Sequence, residues 1–198
     1  MKKEIDLLNV IETGLPGLLV IEPRVFADQR GFFLESYNRE RFRAVGVNAD
    51  FIQDNHAFSA EPGVLRGFHF QRPPAAQAKL VWVVAGKVLD VVVDLRVGSP
   101  TYGRTFTGEL SGRNQRRMFI PKGFGHAYAV LEPGTHFMYK VDAPYAPDLE
   151  GGIAWDDPQL AVDWQNAFGE EGPILSAKDR ELPGMTDFES PFSYEEKA

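Results

Sequence analysis

The sequence predicts an all-β protein, an antiparallel sandwich or barrel with short helices and with arms at both ends. Three observations predict it. The 19 glycines and 14 prolines are spread along the whole chain and cut it into short pieces. Residues 88–95 alternate with a period of two: Leu89, Val91, Val93 and Leu95 form one wholly apolar face between Asp90, Val92 and Asp94. Long segments with helical periodicity are almost absent.

The elements follow in order. Residues 18–22 and 31–37 read as early strands, with Asp28-Gln29-Arg30-Gly31 as a turn. Residues 39–45 are the best helix candidate; Phe42 and Val45 give it only a thin apolar stripe, so it is short. The clearest strand pair is 79–84 and 88–95, β-branched and aromatic, around the turn Ala85-Gly86-Lys87. Strands at 105–110 and 117–120 flank Ser111-Gly112-Arg113-Asn114. Strands at 127–131 and 136–141 flank Glu132-Pro133-Gly134-Thr135. From Ala143 onward Pro, Gly and Asp are frequent, and the segment reads as an irregular arm with about one helical turn. No repeat or linker interrupts the chain, which reads as one domain over 1–198 with its β core at roughly 48–142.

Bulk properties narrow the function. A length of 198 residues, 43% hydrophobic and 25% charged, suits a soluble globular protein. The net charge of −7 and pI of about 5.1 argue against nucleic acid or an anionic membrane as partner. With no cysteine, disulfides, thiolate metal sites and a cysteine nucleophile are excluded. Met1-Lys2-Lys3-Glu4-Ile5-Asp6 has no apolar run behind its lysines, and no stretch approaches the ~20 apolar residues that span a bilayer. A cytoplasmic protein is expected.

Several segments could carry chemistry, and each also has an architectural reading. In Leu65-Arg66-Gly67-Phe68-His69-Phe70-Gln71, regular alternation puts Leu65, Gly67 and His69 on one face and Arg66, Phe68 and Phe70 on the other. Gly67 leaves room for a ligand or a second backbone. His69 alone reads as a hydrogen-bonded core histidine, but Gln53-Asp54-Asn55-His56 and Gln77-Ala78-Lys79 crowd polar groups around it. Lys79 opens an apolar strand, as a snorkelling surface lysine also would. His126 follows the tight corner Pro121-Lys122-Gly123-Phe124-Gly125. Phe137 and Tyr139 share a strand face, where tyrosine is usually core. Ser176 suits a helix N-cap ahead of Lys178 and Asp179. His56, His69, His126 and His136 are scattered with no His-x-His spacing, so a catalytic metal is not expected.

Taken together these segments resemble the dTDP-4-dehydrorhamnose 3,5-epimerase family. The matching stretches run in order from Glu22-Pro23-Arg24-Val25-Phe26 through Asp28-Gln29-Arg30-Gly31-Phe32-Phe33-Leu34-Glu35, Gln53-Asp54-Asn55-His56 and Val64-Leu65-Arg66-Gly67-Phe68-His69-Phe70-Gln71. They continue with Gln77-Ala78-Lys79, Asp90-Val91-Val92-Val93-Asp94, Ser99-Pro100-Thr101-Tyr102-Gly103 and Ile120-Pro121-Lys122-Gly123-Phe124-Gly125-His126. Tyr139-Lys140, Gly152-Ile153-Ala154-Trp155-Asp156-Asp157-Pro158 and Leu175-Ser176-Ala177-Lys178-Asp179 close the set. Each motif is weak alone; the ordered set is specific. Small departures are Phe68, Ala57-Phe58, and Ala127-Tyr128 where Gly-Phe is common.

The resemblance implies a cupin-type jelly roll that works without metal or other cofactor, usually as a homodimer, on a dTDP-linked 4-keto-6-deoxy sugar. It implies His69 as general base, Asp179 as its carboxylate partner, Tyr139 as general acid on the opposite sugar face, and Lys79 as the cation on the enolate oxygen. Arg30, Phe33, Glu35, Gln53, Asn55, Arg66, Lys79, His126, Glu150 and Lys178 would hold the nucleotide sugar, and Tyr145 would stack on thymine. In such dimers the segment from Arg30 to Glu35 can reach the neighbouring subunit's site. The chemistry is coherent: a ketone at C4 acidifies C3 and C5, an imidazole with an ordinary pKa of ~6.5 is a suitable base, and a carboxylate behind it fixes the tautomer. The rival readings are an epimerase acting at one carbon or on another dTDP-keto sugar, a related ketoisomerase, a non-catalytic sugar-nucleotide-binding or lectin-like domain, and a metal cupin oxygenase.

Overall fold

The computed structural model describes residues 7–165, 167–170 and 172–195. Residues 1–6, read above as the start of a chain without a secretory leader, lie outside the described residues. The chain forms β1 (Leu8–Glu12), β2 (Leu19–Pro23), β3 (Phe26–Asp28), β4 (Gly31–Phe33), α1 (Arg39–Ala44), β5 (Gln53–Ser59), β6 (Leu65–Gln71) and β7 (Lys79–Ala85). It continues with β8 (Lys87–Asp94), β9 (Arg96–Val97), β10 (Thr105–Ser111), β11 (Arg117–Ile120), β12 (Phe124–Val130), β13 (Thr135–Val141), β14 (Glu150–Gly152) and β15 (Phe192–Ser193). The predicted strands and the short helix are present, although the strand expected over 31–37 stops at Phe33. Asn38 caps α1: its side-chain oxygen accepts from the N–H groups of Glu40 and Arg41.

Two antiparallel sheets pack face to face. One has the order β1-β2-β11-β7-β13-β5, the other β10-β8-β12-β6-β14. The 79–84 and 88–95 segments are strands, but they do not pair with each other as their turn suggested. β7 hydrogen-bonds to β11 and β13, and β8 to β10 and β12, in different sheets. Gly86 is the corner between the sheets: its φ is +81°, and a Cβ there would stand 2.2 Å from Thr135 Oγ1. The loops 112–116 and 131–134 also cross between sheets. Alternation reports which residues share a face; it carries no information about which strand lies alongside.

The same topology relocates the wholly apolar face of β8. Val88 and Val92, on the mixed face, point into the core between the sheets with Val81, Met118, Ile120, Phe124 and Phe137. Val91, Val93 and Leu95 point outward, where Ile153, Leu160 and Phe192 of the C-terminal arm cover them with Phe68, Phe70 and Ala127. A third cluster, Ile21, Leu80 and Phe119 under Phe42 of α1, covers the outer face of the six-stranded sheet. Asp90, on the inward face of β8, is therefore fully buried in the sandwich interior.

Candidate active site

A cavity of about 270 Å³ opens between the sheets, walled by β5, β6, β7, β12 and β13 and closed by the C-terminal arm. Its geometry begins with β6. Two residues of β6, Gly67 and Phe68, lie opposite the single Ala127 of β12, because His126 pairs with His69 while Tyr128 pairs with Arg66. This bulge resets the alternation. Arg66 and His69 both line the cavity, while Phe68 enters the outer core and Phe70 packs in that core at the cavity's edge, so regular alternation misplaced Arg66. Gly67 makes the bulge feasible: at φ +119° its missing Cβ would stand 2.4 Å from the His126 carbonyl oxygen. The close approach anticipated there is to backbone.

His69 meets Asp179, brought in by a 3-10 turn at Lys178–Glu181 of the arm. His69 Nε2 lies 2.6 Å from Asp179 Oδ1. The Ser176 hydroxyl donates to Asp179 Oδ2 at 2.6 Å and accepts the Asp179 N–H at 3.1 Å. Burial acts to raise the Asp179 pKa, but the bonds from His69 and Ser176 outweigh it and hold the group at about 2. An ionised carboxylate only accepts, so the bonded nitrogen of His69 carries a hydrogen, and in a neutral ring the lone pair is left on the other nitrogen. Ser176, read in the sequence as a cap, is thus a support of the site; its hydroxyl beside a carboxylate was the only signal.

Lys79 and Tyr139 reach the same cavity from β7 and β13. Lys79 Nζ donates to the His69 carbonyl oxygen at 3.4 Å. Burial lowers its pKa to about 8, against the pull of Asp90 and Glu150. Burial raises the phenol pKa of Tyr139, while Arg66 opposes the shift. Asn55 pairs with Tyr139, and Ala57 with Phe137, across β5 and β13. Gln53 and Asn55 therefore share the inward face of β5 with the cavity-lining Ala57, and Gln53 Nε2 donates to Asn55 Oδ1 at 2.8 Å.

His126 sits deeper. Its Nε2 is 3.0 Å from both oxygens of the buried Asp90. Burial pushes His126 downward and Asp90 upward, each toward its neutral form. In the sequence Asp90 is part of an alternating strand and of one family stretch; its carboxylate comes beside His126 only once β8 and β12 pair, with Asp90 across from Tyr128. At the mouth, Tyr145 donates to Glu150 Oε2 at 2.9 Å, and Lys178 donates to the same oxygen. Gln71, also missed, braces this side: its amide donates to the carbonyls of Ala75 and Pro144 and accepts from the Ala146 N–H.

Arg30, Phe33 and Glu35 do not enter this cavity. Arg30 and Phe33 lie on the exposed β3–β4 hairpin, where the Arg30 N–H donates to Asp28 at 2.8 Å; Glu35 accepts from Arg41 at 2.9 Å. The histidines are less scattered in space than in sequence, since His56 Nε2 is 2.8 Å from His136 Nδ1 on the outer sheet face. Among the described residues, no group of three or more His, Asp or Glu is arranged to hold a metal ion, and no helix is long and apolar enough to cross a membrane.

Two sheets closed round a polar cavity make this a cupin-like jelly roll, and an imidazole, a carboxylate, an ammonium and a phenol line that cavity together. The chain belongs to the dTDP-4-dehydrorhamnose 3,5-epimerase family, whose profile matches residues 12–187. It is 47% identical over 181 residues to the dTDP-4-dehydrorhamnose 3,5-epimerase of Pseudomonas aeruginosa, covering 91% of this chain and 97% of that one. The Shigella flexneri enzyme of the same name is 46% identical, covering 87% and 93%. Among solved structures, the dTDP-6-deoxy-D-glucose-3,5-epimerase of Legionella pneumophila, in complex with dTDP-4-keto-L-rhamnose, superposes with a TM-score of 0.89 at 42% identity, covering 95% and 99%.

Proposed function

We propose that this protein epimerises dTDP-4-dehydro-6-deoxy-D-glucose at C3 and C5, giving dTDP-4-dehydro-L-rhamnose. The observation that carries this reading is the His69–Asp179 pair, 2.6 Å apart, in a cavity that Lys79 and Tyr139 also line. His69 removes the proton from the carbon beside the C4 ketone. Asp179 keeps the ring in one tautomer and stabilises the imidazolium that forms. Charge develops on the C4 oxygen, where the ammonium of Lys79 stabilises the enolate; such a donor lowers the barrier by about 3–4 kcal/mol. Tyr139 returns a proton from the opposite face, and the carbon is inverted. The ketone itself acidifies both carbons, so the reaction uses no redox cofactor.

Arg66, Gln53, Asn55 and His126 hold the sugar and phosphates, and Tyr145, Glu150 and Lys178 hold the nucleoside end. The protein works as a homodimer in the cytoplasm, with Arg30, Phe33 and Glu35 completing the site of the neighbouring subunit. Support for the dimer comes from exposed apolar surface: Phe26, Phe32 and Phe33 on the β3–β4 hairpin, and Phe58 and Val84 on the outer sheet face, are 46–70% exposed.

The test is incubation with dTDP-4-keto-6-deoxyglucose in deuterated water. Label enters C3 and C5 and the L-sugar accumulates. His69→Ala abolishes both while still unfolding cooperatively, at a somewhat lower temperature because Asp179 loses its partner. Undiminished exchange in that variant refutes the base; inversion at one carbon alone makes the protein a mono-epimerase.

A further inference from the structure

Tyr128 takes no part in the chemistry above, yet its environment is that of a ligand contact. Along β12 it is two residues from His126 and points to the same side, into the cavity. The residue is only 6% exposed. Its ring is clamped by parallel stacking on Phe137, with centroids 4.0 Å apart and planes 10° apart. Across the sheet it faces Arg66 on one side and Asp90 on the other. Among the described residues its hydroxyl has no hydrogen-bond partner, although it is not sealed in protein as the Nε of Arg117 is. A buried phenol is normally satisfied. This one opens onto the cavity, with its partner position in the space a ligand takes.

We propose that Tyr128 is a substrate-contacting, specificity-determining residue whose hydroxyl hydrogen-bonds a hydroxyl of the bound hexose, at C2 or C3. This rests on the reading of the cavity as a site for a dTDP-linked keto sugar. Burial raises the phenol pKa of Tyr128, so the group stays neutral and both donates and accepts. Stacking on Phe137 leaves the ring little freedom, so the hydroxyl is pre-positioned. A site built to bond a substrate hydroxyl rejects the analogue that lacks it, because the protein group is then left unpaired.

The test compares the parent protein with Tyr128→Phe, which keeps the stack and removes one oxygen. On dTDP-4-keto-6-deoxyglucose, kcat/KM falls about tenfold, the loss of one hydrogen bond. On either the 2-deoxy or the 3-deoxy analogue, scored by deuterium entry at C5, the two proteins become equal. Affinity for dTDP alone is unchanged, since the phenol lies at the buried end. Equal kcat/KM on the full sugar overturns the proposal. So does a loss that persists on both analogues together with weaker dTDP binding, which marks a packing role. A parent inactive on every dTDP-linked keto sugar, with dTDP binding intact, instead removes the reading of the cavity itself, and the proposal with it.

Discussion

His69 and Asp179 are 110 residues apart in the chain and 2.6 Å apart in space. One comes from the middle of a sheet strand, the other from a single 3-10 turn of the C-terminal arm. The contact ties the proposed base to the segment that covers the outside of the five-stranded sheet, so that chemistry and arm docking share a bond.

Asp179→Asn should lower kcat by about 10³–10⁴, because an amide can present its donor to the ring and favour the wrong tautomer. Stability carries a second signature. The folded pKa of about 2 lies below the unfolded 3.8, so the carboxylate contributes stability above pH 4 and loses it as pH falls toward 2. The contribution is about 2 kcal/mol. Urea midpoints of parent and variant should therefore differ at pH 7 and converge near pH 2.

Lys79 sets an alkaline limit. With its pKa lowered to about 8 by burial, the enolate-stabilising cation is present at pH 7 and lost as pH rises through 8. A profile of kcat/KM against pH, which reads the free protein, should fall on a limb near pH 8, and Lys79→Met should lose about 10²-fold or more at pH 7. A flat profile to pH 10 would remove the lysine from the mechanism.

Tyr139→Phe should separate removal of the proton from its return. Deuterium should still enter C3 or C5 through His69, while inverted product forms at least about tenfold more slowly than label is incorporated. One-dimensional proton spectra recorded during the reaction read both quantities. Equal slowing of exchange and inversion would assign the phenol to binding instead.

Gly67→Ala should be among the most damaging single-methyl additions. The new Cβ would lie 2.4 Å from the His126 carbonyl oxygen and 2.6 Å from the Ala127 Cα, both backbone, at a φ of +119° that other residues avoid. A loss of about 3 kcal/mol or more is expected. Thermal unfolding checks it. A fold that survives should show Arg66 and His69 displaced relative to each other, with weaker substrate binding.

What the sequence made legible was local. The alternation of β8, the short helix expected over 39–45, and the shared face of Phe137 and Tyr139 all follow from neighbours within a few residues. What it hid depends on contacts far along the chain. Asp90 is an alternating strand residue until β12 brings His126 against it. Gly86 reads as a hairpin turn until Thr135 shows it to be a corner between sheets. The bulge that turns Arg66 inward is a property of the β6–β12 pair, and neither strand announces it alone. The ordered family motifs pointed to His69, Lys79, Tyr139 and Asp179 together, and these four line one cavity.

The docking of the arm has a consequence for the newborn chain. A ribosome that has delivered both sheets has still not delivered residue 179, so the assembled barrel meets its sugar with an unbacked imidazole. On the proposed mechanism, competence therefore waits until the arm has been made and has docked on the outer face of the five-stranded sheet.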